Sequence, residues 1–189
     1  MKYVITGGAC TGKTTMINEL KRRGYQIVGE SARIIIDSEQ VHEKMNPAYD
    51  GVYPWTDNHA FQLLVVKLQK MLEDDIVNRE FKHNFLDRSL VDGIAYAKIW
   101  KTEEVEGLRE EIAKARYTTI FFLEQLGFYN MDEQRQESEL VNREVHDKLF
   151  EIYTELGFDV VRVPPLPIDE RVEFVLERVK NGKEKETLS

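Results

Sequence analysis

Residues Gly7-Gly8-Ala9-Cys10-Thr11-Gly12-Lys13-Thr14 satisfy the pattern G-x-x-x-x-G-K-[ST]. These residue types at this spacing suit one task, holding a chain of phosphates. Glycines let the backbone curl until successive N–H groups point at one anion. The helix expected from about Lys13 adds the positive end of its dipole. Lys13 is placed to reach the β- and γ-phosphates of a nucleoside triphosphate. The Thr14 hydroxyl is placed to ligate a Mg²⁺ ion bridging the same phosphates. The expected nucleotide contacts are Gly7, Gly8, Ala9, Cys10, Thr11, Gly12, Lys13, Thr14 and Thr15. Cys10 reads either as a small filler of the loop or as a thiol activated by a helix N-terminus.

Two more stretches carry chemistry. Strands are expected at Tyr25–Gly29 and Asn84–Asp87, and their carboxyl ends lead into Glu30-Ser31-Ala32-Arg33 and Asp87-Arg88-Ser89. Parallel sheets bind ligands at the carboxyl ends of their strands, so Glu30 and Asp87 can both face the phosphates. One carboxylate can hold Mg²⁺ through water while the other takes the proton of an attacking hydroxyl. Arg88 brings a positive charge toward a transferring phosphoryl group or a substrate. Each carboxylate also has a structural alternative: Glu30 beside a helix dipole, Asp87 as an N-cap.

The elements that must position these groups alternate along the chain. Lys2–Thr6 is β-rich and ends at the glycine pair. Lys13 to Arg23 has helical spacing, with Gly24 as its stop. A helix is expected from Ser31 to Val41, and a loop with three aromatics and two prolines from Glu43 to Trp55. Asp57 to Phe81 carries apolar residues at three- and four-residue steps, a long amphipathic helix. Ser89–Trp100 and Glu103–Ala115 read as helices, Thr118–Leu123 as a buried strand, and Asp132–Leu156 as a helix. Asp159–Val163 is the last strand and Ile168–Val179 the closing helix. Strands alternating with helices predict an α/β fold with a five-stranded parallel sheet and right-handed crossovers. One domain over residues 1–180 is expected, with a polar tail at 181–189.

Composition narrows the classes. The 189 residues are 42% hydrophobic, enough for a core. Lys and Arg number 26 against 34 Asp and Glu, a net charge of -8, which disfavours long nucleic acid. Cys10 is the sole cysteine and the four histidines are scattered, so neither a disulfide framework nor a zinc spacing is expected. No apolar run has the ~18–20 residues of a membrane span. The opening strand leaves no signal-peptide pattern, so a cytoplasmic location is expected.

At Asp87-Arg88-Ser89, followed by Asp92, Ala95 and Tyr96, the sequence resembles the acidic-Arg-Ser motif of deoxynucleoside kinases. It is also similar to a family of small, AAA-labelled ATPases and kinases akin to the ribosylnicotinamide kinase domain of NAD-synthesis regulators. That likeness rests on Gly7–Thr14, Glu30-Ser31-Ala32-Arg33, Asp87-Arg88-Ser89 with Asp92, Tyr153 to Gly157, and Val163-Pro164 followed by Arg171. The resemblance implies that Glu30 is the catalytic base. It also implies a helical lid near residues 124–143, in which Arg135 and Arg143 meet the phosphates. The loop Pro164-Pro165-Leu166-Pro167 would lie beside the nucleotide base, with Pro165 in its wall. The lid arginines could instead form a surface charge ladder with Glu139, and the prolines could simply separate two elements.

The aromatic loop Tyr49-Asp50-Gly51-Val52-Tyr53-Pro54-Trp55 is the candidate acceptor site. Asp50 or Asp57 could bind a hydroxyl there, and Gln62 lies where related kinases read a base. The competing reading is a satellite core under the long helix. The function expected is a Mg²⁺-dependent phosphotransferase using ATP or GTP on a nucleoside-like or other small hydroxyl acceptor. Its catalytic set is Lys13, Glu30, Asp87, Arg88 and Arg135, with Thr14 and Asp87 on the metal. The alternatives are a nucleotide-dependent switch and an NTP or polyphosphate hydrolase.

Overall fold

The computed structural model describes residues 1–77, 81–127 and 139–186. Its strands are β1 (Lys2–Thr6), β2 (Gln26–Val28), β3 (Asn84–Asp87), β4 (Tyr117–Leu123) and β5 (Val160–Val163). Between them run α1 (Lys13–Arg22), α2 (Ser31–Met45), α3 (Asn58–Val77), α4 (Leu90–Trp100), α5 (Leu108–Ala115) and α6 (Glu139–Glu155); α7 (Ile168–Glu186) follows β5. Every strand pair is parallel and the order is β2-β3-β1-β4-β5. The expected five-stranded parallel α/β sheet is present.

Side chains alternate across the sheet, and both faces are covered. Tyr3, Ile5, Phe85, Phe121 and Leu123 pack under Met16, Ile17 and Leu20 of α1 and Val172, Val175 and Leu176 of α7. Val4, Leu86, Ile120 and Phe122 pack on the other face under α4 and α6, through Val91, Ile94, Val145, Leu149 and Ile152 among others. Each such side chain contributes roughly 1.5–3 kcal/mol of burial. β1 is followed by a helix on one face and its neighbour β3 by helices on the other. A crevice therefore opens at the carboxyl ends beside β1.

Element ends differ from the sequence reading where local chemistry intervened. α2 runs to Met45 rather than Val41, because the Asn46 N–H closes one more turn on the His42 carbonyl before Pro47 stops the helix. α5 starts at Leu108, not Glu103. Gly107, at φ 76, takes the N-cap position, while the apolar period of Val105, Leu108 and Ile112 runs straight through it. α7 continues to Glu186, past Asn181 and Gly182, with Lys and Glu, good helix formers, at its other positions beyond Val179. α6 is described from Glu139; residues 128–138, with the start of the helix expected from Asp132, lie outside the described residues.

Candidate active site

β1 delivers the chain into the phosphate loop, and α1 starts at its far end. Gly12 is the N-cap residue at φ 82, a left-handed conformation that favours glycine. A Cβ there would also lie 2.8 Å from Arg171 Nη1. Arg171 is 2% exposed and braces the loop from behind, Nη2 donating to the Thr11 carbonyl at 2.8 Å. Lys13 is buried in the loop, its Nζ donating to the carbonyls of Gly7 at 3.0 Å and Gly8 at 2.6 Å. Burial, then the nearby Arg88 charge, lower its pKa to about 8. Cys10 is half-buried at φ 55, and Thr14 and Thr15 are exposed on the first turn of α1.

The ends of β2 and β3 converge on one ion-pair chain. Glu30 occupies the N-cap position of α2, but its side chain makes no capping bond. Its Oε1 accepts instead from Arg88 Nε at 2.8 Å, and Oε2 lies 3.8 Å from Arg33 Nε. Arg88, at φ 70, reaches in the other direction to Asp92, Nη1 donating to Oδ1 at 3.0 Å. Burial opposes ionisation of Glu30, yet the charges of Arg88 and Lys13 outweigh it and hold its pKa below the usual value. Asp87 is the converse case. Burial first, then the Glu30 charge, push its pKa up to about 7, and its Oδ1 has no hydrogen-bond partner among the described residues.

Asp87 is not an N-cap. Ser89 caps α4, its Oγ accepting the Val91 N–H at 3.1 Å while Asp92 returns the bond by accepting the Ser89 N–H. Asp92 thereby joins the site, though sequence reasoning did not select it as a site residue. The signal was the Ser-x-x-Asp spacing at Ser89.

Beyond Glu30 and Arg88 a cavity of about 700 Å³ extends from Lys13 between α2, α3 and α4. Trp55, Phe61, Tyr96 and Trp100 give it aromatic walls. Gln62 lines it too, 7% exposed, with an Oε1 that has no hydrogen-bond partner among the described residues. The aromatic loop serves both readings. Tyr53 joins Ile35, Ile36 and Phe61 in a satellite core, while Trp55, stacked on Tyr53 at 4.9 Å and half exposed, lines the cavity. Glu39 fastens this loop to α2, accepting from the Tyr49 hydroxyl and the Val52 N–H. Asp57 accepts the Ala60 N–H, and neither Asp57 nor Asp50 lines the cavity.

A family model described as an AAA domain matches residues 2–171. The chain belongs to that family. No curated protein sequence matches it. Among solved structures it is similar to a NadR protein in complex with NAD and AMP-PNP, with TM-score 0.68 and 21% identity over 95% of this chain and 48% of that one. It is similar to the thymidylate kinase of Candida albicans, with TM-score 0.67 and 17% identity over 96% of this chain and 92% of that one. A deoxyadenosine kinase from M. mycoides, with products dCMP and dCDP, gives TM-score 0.65 and 14% identity over 96% of this chain and 100% of that one. These likenesses establish the nucleoside and nucleotide kinase type of P-loop fold for this AAA-family chain.

Of the residues singled out from sequence, this AAA-family chain brings Lys13, Glu30, Asp87 and Arg88 into mutual electrostatic range. Ala9, Cys10, Gly12, Thr14 and Thr15 line the same cavity as Lys13 and Glu30. Pro165 lies elsewhere, in a second cavity of about 550 Å³ with Glu124, Gln125 and Arg143. Arg135 lies outside the described residues. Among the described residues no three His, Cys, Asp or Glu side chains cluster as a metal cage. Mg²⁺ takes one or two protein ligands and completes its shell with phosphate and water. The unpartnered Oδ1 of Asp87 is a fitting anchor for such an ion. Asn142 and His146 of α6 were also missed. They contact the loop through bonds spanning 133 and 138 residues, which no local pattern announces. No helix among the described residues is long and apolar enough to cross a membrane.

Proposed function

We propose that this chain is a Mg²⁺-dependent kinase that moves the γ-phosphoryl group of ATP or GTP to a hydroxyl of a nucleoside-like small molecule. The observation that carries the reading is the placement of the Glu30–Arg88 pair. It stands between the Lys13 phosphate loop and a cavity walled by aromatic rings, in which Gln62 presents an unpartnered acceptor. A planar ring bearing an N–H donor fits that pocket, stacking on Trp55 or Tyr96 and donating to Gln62. One similar structure carries the name deoxyadenosine kinase, which agrees with this acceptor class.

The acceptor oxygen forms the new bond to the γ-phosphorus as the bond to the β-phosphate oxygen breaks. Glu30, held ionised by Arg88, takes the hydroxyl proton, and the nucleoside diphosphate leaves with its charge on Lys13. Such transfers have loose transition states, so a base of modest strength suffices if it is well placed. Thr14 and Asp87 would hold Mg²⁺, which neutralises charge between the phosphates.

The direct test incubates the protein with labelled ATP or GTP and a pool of nucleosides and small alcohols, read by mass spectrometry. A labelled acceptor is expected. Tight Mg·NTP binding with no labelled product from a broad pool would favour a switch or hydrolase. Lys13→Ala should cost roughly 2–4 kcal/mol of transition-state stabilisation, about 30- to 1000-fold in kcat/KM. Unchanged binding and turnover in that variant would remove the phosphate-loop reading. Asp87→Asn should raise the Mg²⁺ concentration needed for half-maximal activity, because the amide is a weaker ligand for a hard cation. A Mg²⁺ titration that superimposes on wild type would leave Asp87 without a metal role.

A further inference from the structure

α6 grips the first limb of the phosphate loop. His146 Nδ1 accepts the Gly8 N–H at 3.2 Å. Asn142 meets Ala9 twice, Oδ1 accepting its N–H and Nδ2 donating to its carbonyl at 3.2 Å. The two side chains sit one helical turn apart on the same face of α6. Both are buried, Asn142 at 3% exposure and His146 at 7%. Their approach leaves no room at Gly8. A Cβ there would lie 2.8 Å from Asn142 Oδ1, 3.0 Å from His146 Cβ and 3.2 Å from the Asn142 carbonyl oxygen. The phosphate-loop pattern accepts any residue at this position. Glycine is needed in this chain so that α6 can seat.

We propose that Asn142 and His146 are positioning residues that fix the Gly8–Ala9 limb in its binding shape before the nucleotide arrives. The inference rests on the kinase reading above. Gly7 and Gly8 are adjacent, and glycine loses more freedom on ordering than any other residue. Fixing one residue's backbone corresponds to roughly 5- to 30-fold in an equilibrium constant. A limb already held by α6 spares the nucleotide that loss. With the Gly8 and Ala9 N–H groups donated to α6, the phosphates take their hydrogen bonds from the rest of the loop, so the clasp acts on binding and leaves turnover at saturation unchanged. The His146 ring is suited to this task. It packs on Phe122, with centroids 4.6 Å apart, and its Nε2 faces Glu124 at 3.7 Å. Burial, and to a lesser degree Lys13, lower its pKa against the opposing pull of Glu124 and Asp147, which keeps Nδ1 available as an acceptor.

The test compares His146→Leu, His146→Asn and Asn142→Leu with wild type, by calorimetric titration with Mg·ATP and Mg·GTP and by steady-state kinetics. Leucine fills space but accepts no hydrogen bond, whereas the asparagine oxygen lies near the place of Nδ1. Both leucine variants should bind Mg·NTP roughly 5- to 30-fold more weakly and raise KM by the same factor. Their kcat should stay within about twofold of wild type, and His146→Asn should recover most of the affinity. Gly8 amide hydrogen exchange should be slow in wild type and fast in His146→Leu. Equal affinities in all four proteins overturn the clasp. A lower melting temperature or active fraction with unchanged Kd does the same, since that is the signature of a merely structural contact. If the leucine variants do not fold, ring-¹⁵N NMR of wild type decides. An unprotonated Nδ1 with a protected Gly8 amide supports the clasp; a protonated Nδ1 or a fast-exchanging amide overturns it. A wild-type protein that binds neither nucleotide overturns the kinase reading itself.

Discussion

Glu30→Gln should lower phosphoryl transfer by roughly 10²–10⁴-fold, the usual worth of a positioned base, while Mg·NTP affinity stays near wild type. The glutamine keeps the size and one acceptor oxygen, so Arg88 Nε can still donate to Oε1 and the β2–β3 crossing keeps its brace. What disappears is the charge and the site for a proton. Glu30 Oε2 is the oxygen left for an acceptor hydroxyl, with Arg33 3.8 Å away as its ion-pair partner among the described residues. Binding by calorimetry and transfer by mass spectrometry separate the two effects. A variant that still labels the acceptor at the wild-type rate would retain the kinase and discard Glu30 as its base, with Asp87 the next carboxylate to examine. A variant that loses nucleotide affinity as steeply as transfer would mark Glu30 as part of the phosphate site instead.

Local chemistry was legible in the sequence; packing between distant segments was not. The phosphate loop follows from eight contiguous residues between a strand and a helix, and the structure places them so. The parallel sheet follows from alternation of element types, but its order does not, because residues 1–87 say nothing about which strand will lie beside β1. Glu30 and Asp87 were visible as carboxylates at strand ends, yet their unlike environments were not. Arg88 pairs with Glu30 and leaves Asp87 desolvated, its Oδ1 without a hydrogen-bond partner among the described residues, which depends on where one guanidinium points. The capping alternative for Asp87 fell to Ser89 two residues later. The aromatic loop was ambiguous because it is physically divided, Tyr53 in the core and Trp55 on the cavity. Asn142, His146 and Arg171 act on the loop across 130 residues or more, where sequence spacing carries no geometric information.

Asp92→Ala should destabilise the fold by roughly 3–5 kcal/mol, a large share of the ~5–15 kcal/mol of a typical domain. Asp92 is 4% exposed and accepts four hydrogen bonds: Thr6 Oγ1 at 3.0 Å, Arg88 Nη1 at 3.0 Å, the Ser89 N–H at 3.1 Å and the Tyr153 hydroxyl at 2.6 Å. These donors come from the end of β1, the end of β3, the start of α4 and the last turn of α6. One carboxylate therefore ties both strands that flank the crevice to the helix that grips the phosphate loop. Alanine leaves the Arg88 guanidinium with Glu30 as its remaining carboxylate partner, opens the capping box, takes the acceptor from the buried Thr6 hydroxyl and leaves the Tyr153 hydroxyl with Ser89 Oγ. Asp92→Asn should cost less, roughly 1–3 kcal/mol, but cannot be neutral. Whichever way the amide turns, its NH₂ faces either the Arg88 donor or the Ser89 N–H, and neither can accept. Urea unfolding measures both variants, through a shift in midpoint at unchanged slope. A double-mutant cycle of Asp92→Ala with Arg88→Met then isolates the pair, and a coupling well above 1 kcal/mol is expected for a partly buried ion pair. Losses below about 1 kcal/mol in Asp92→Ala would show that the crevice is held open by its apolar walls and not by this carboxylate.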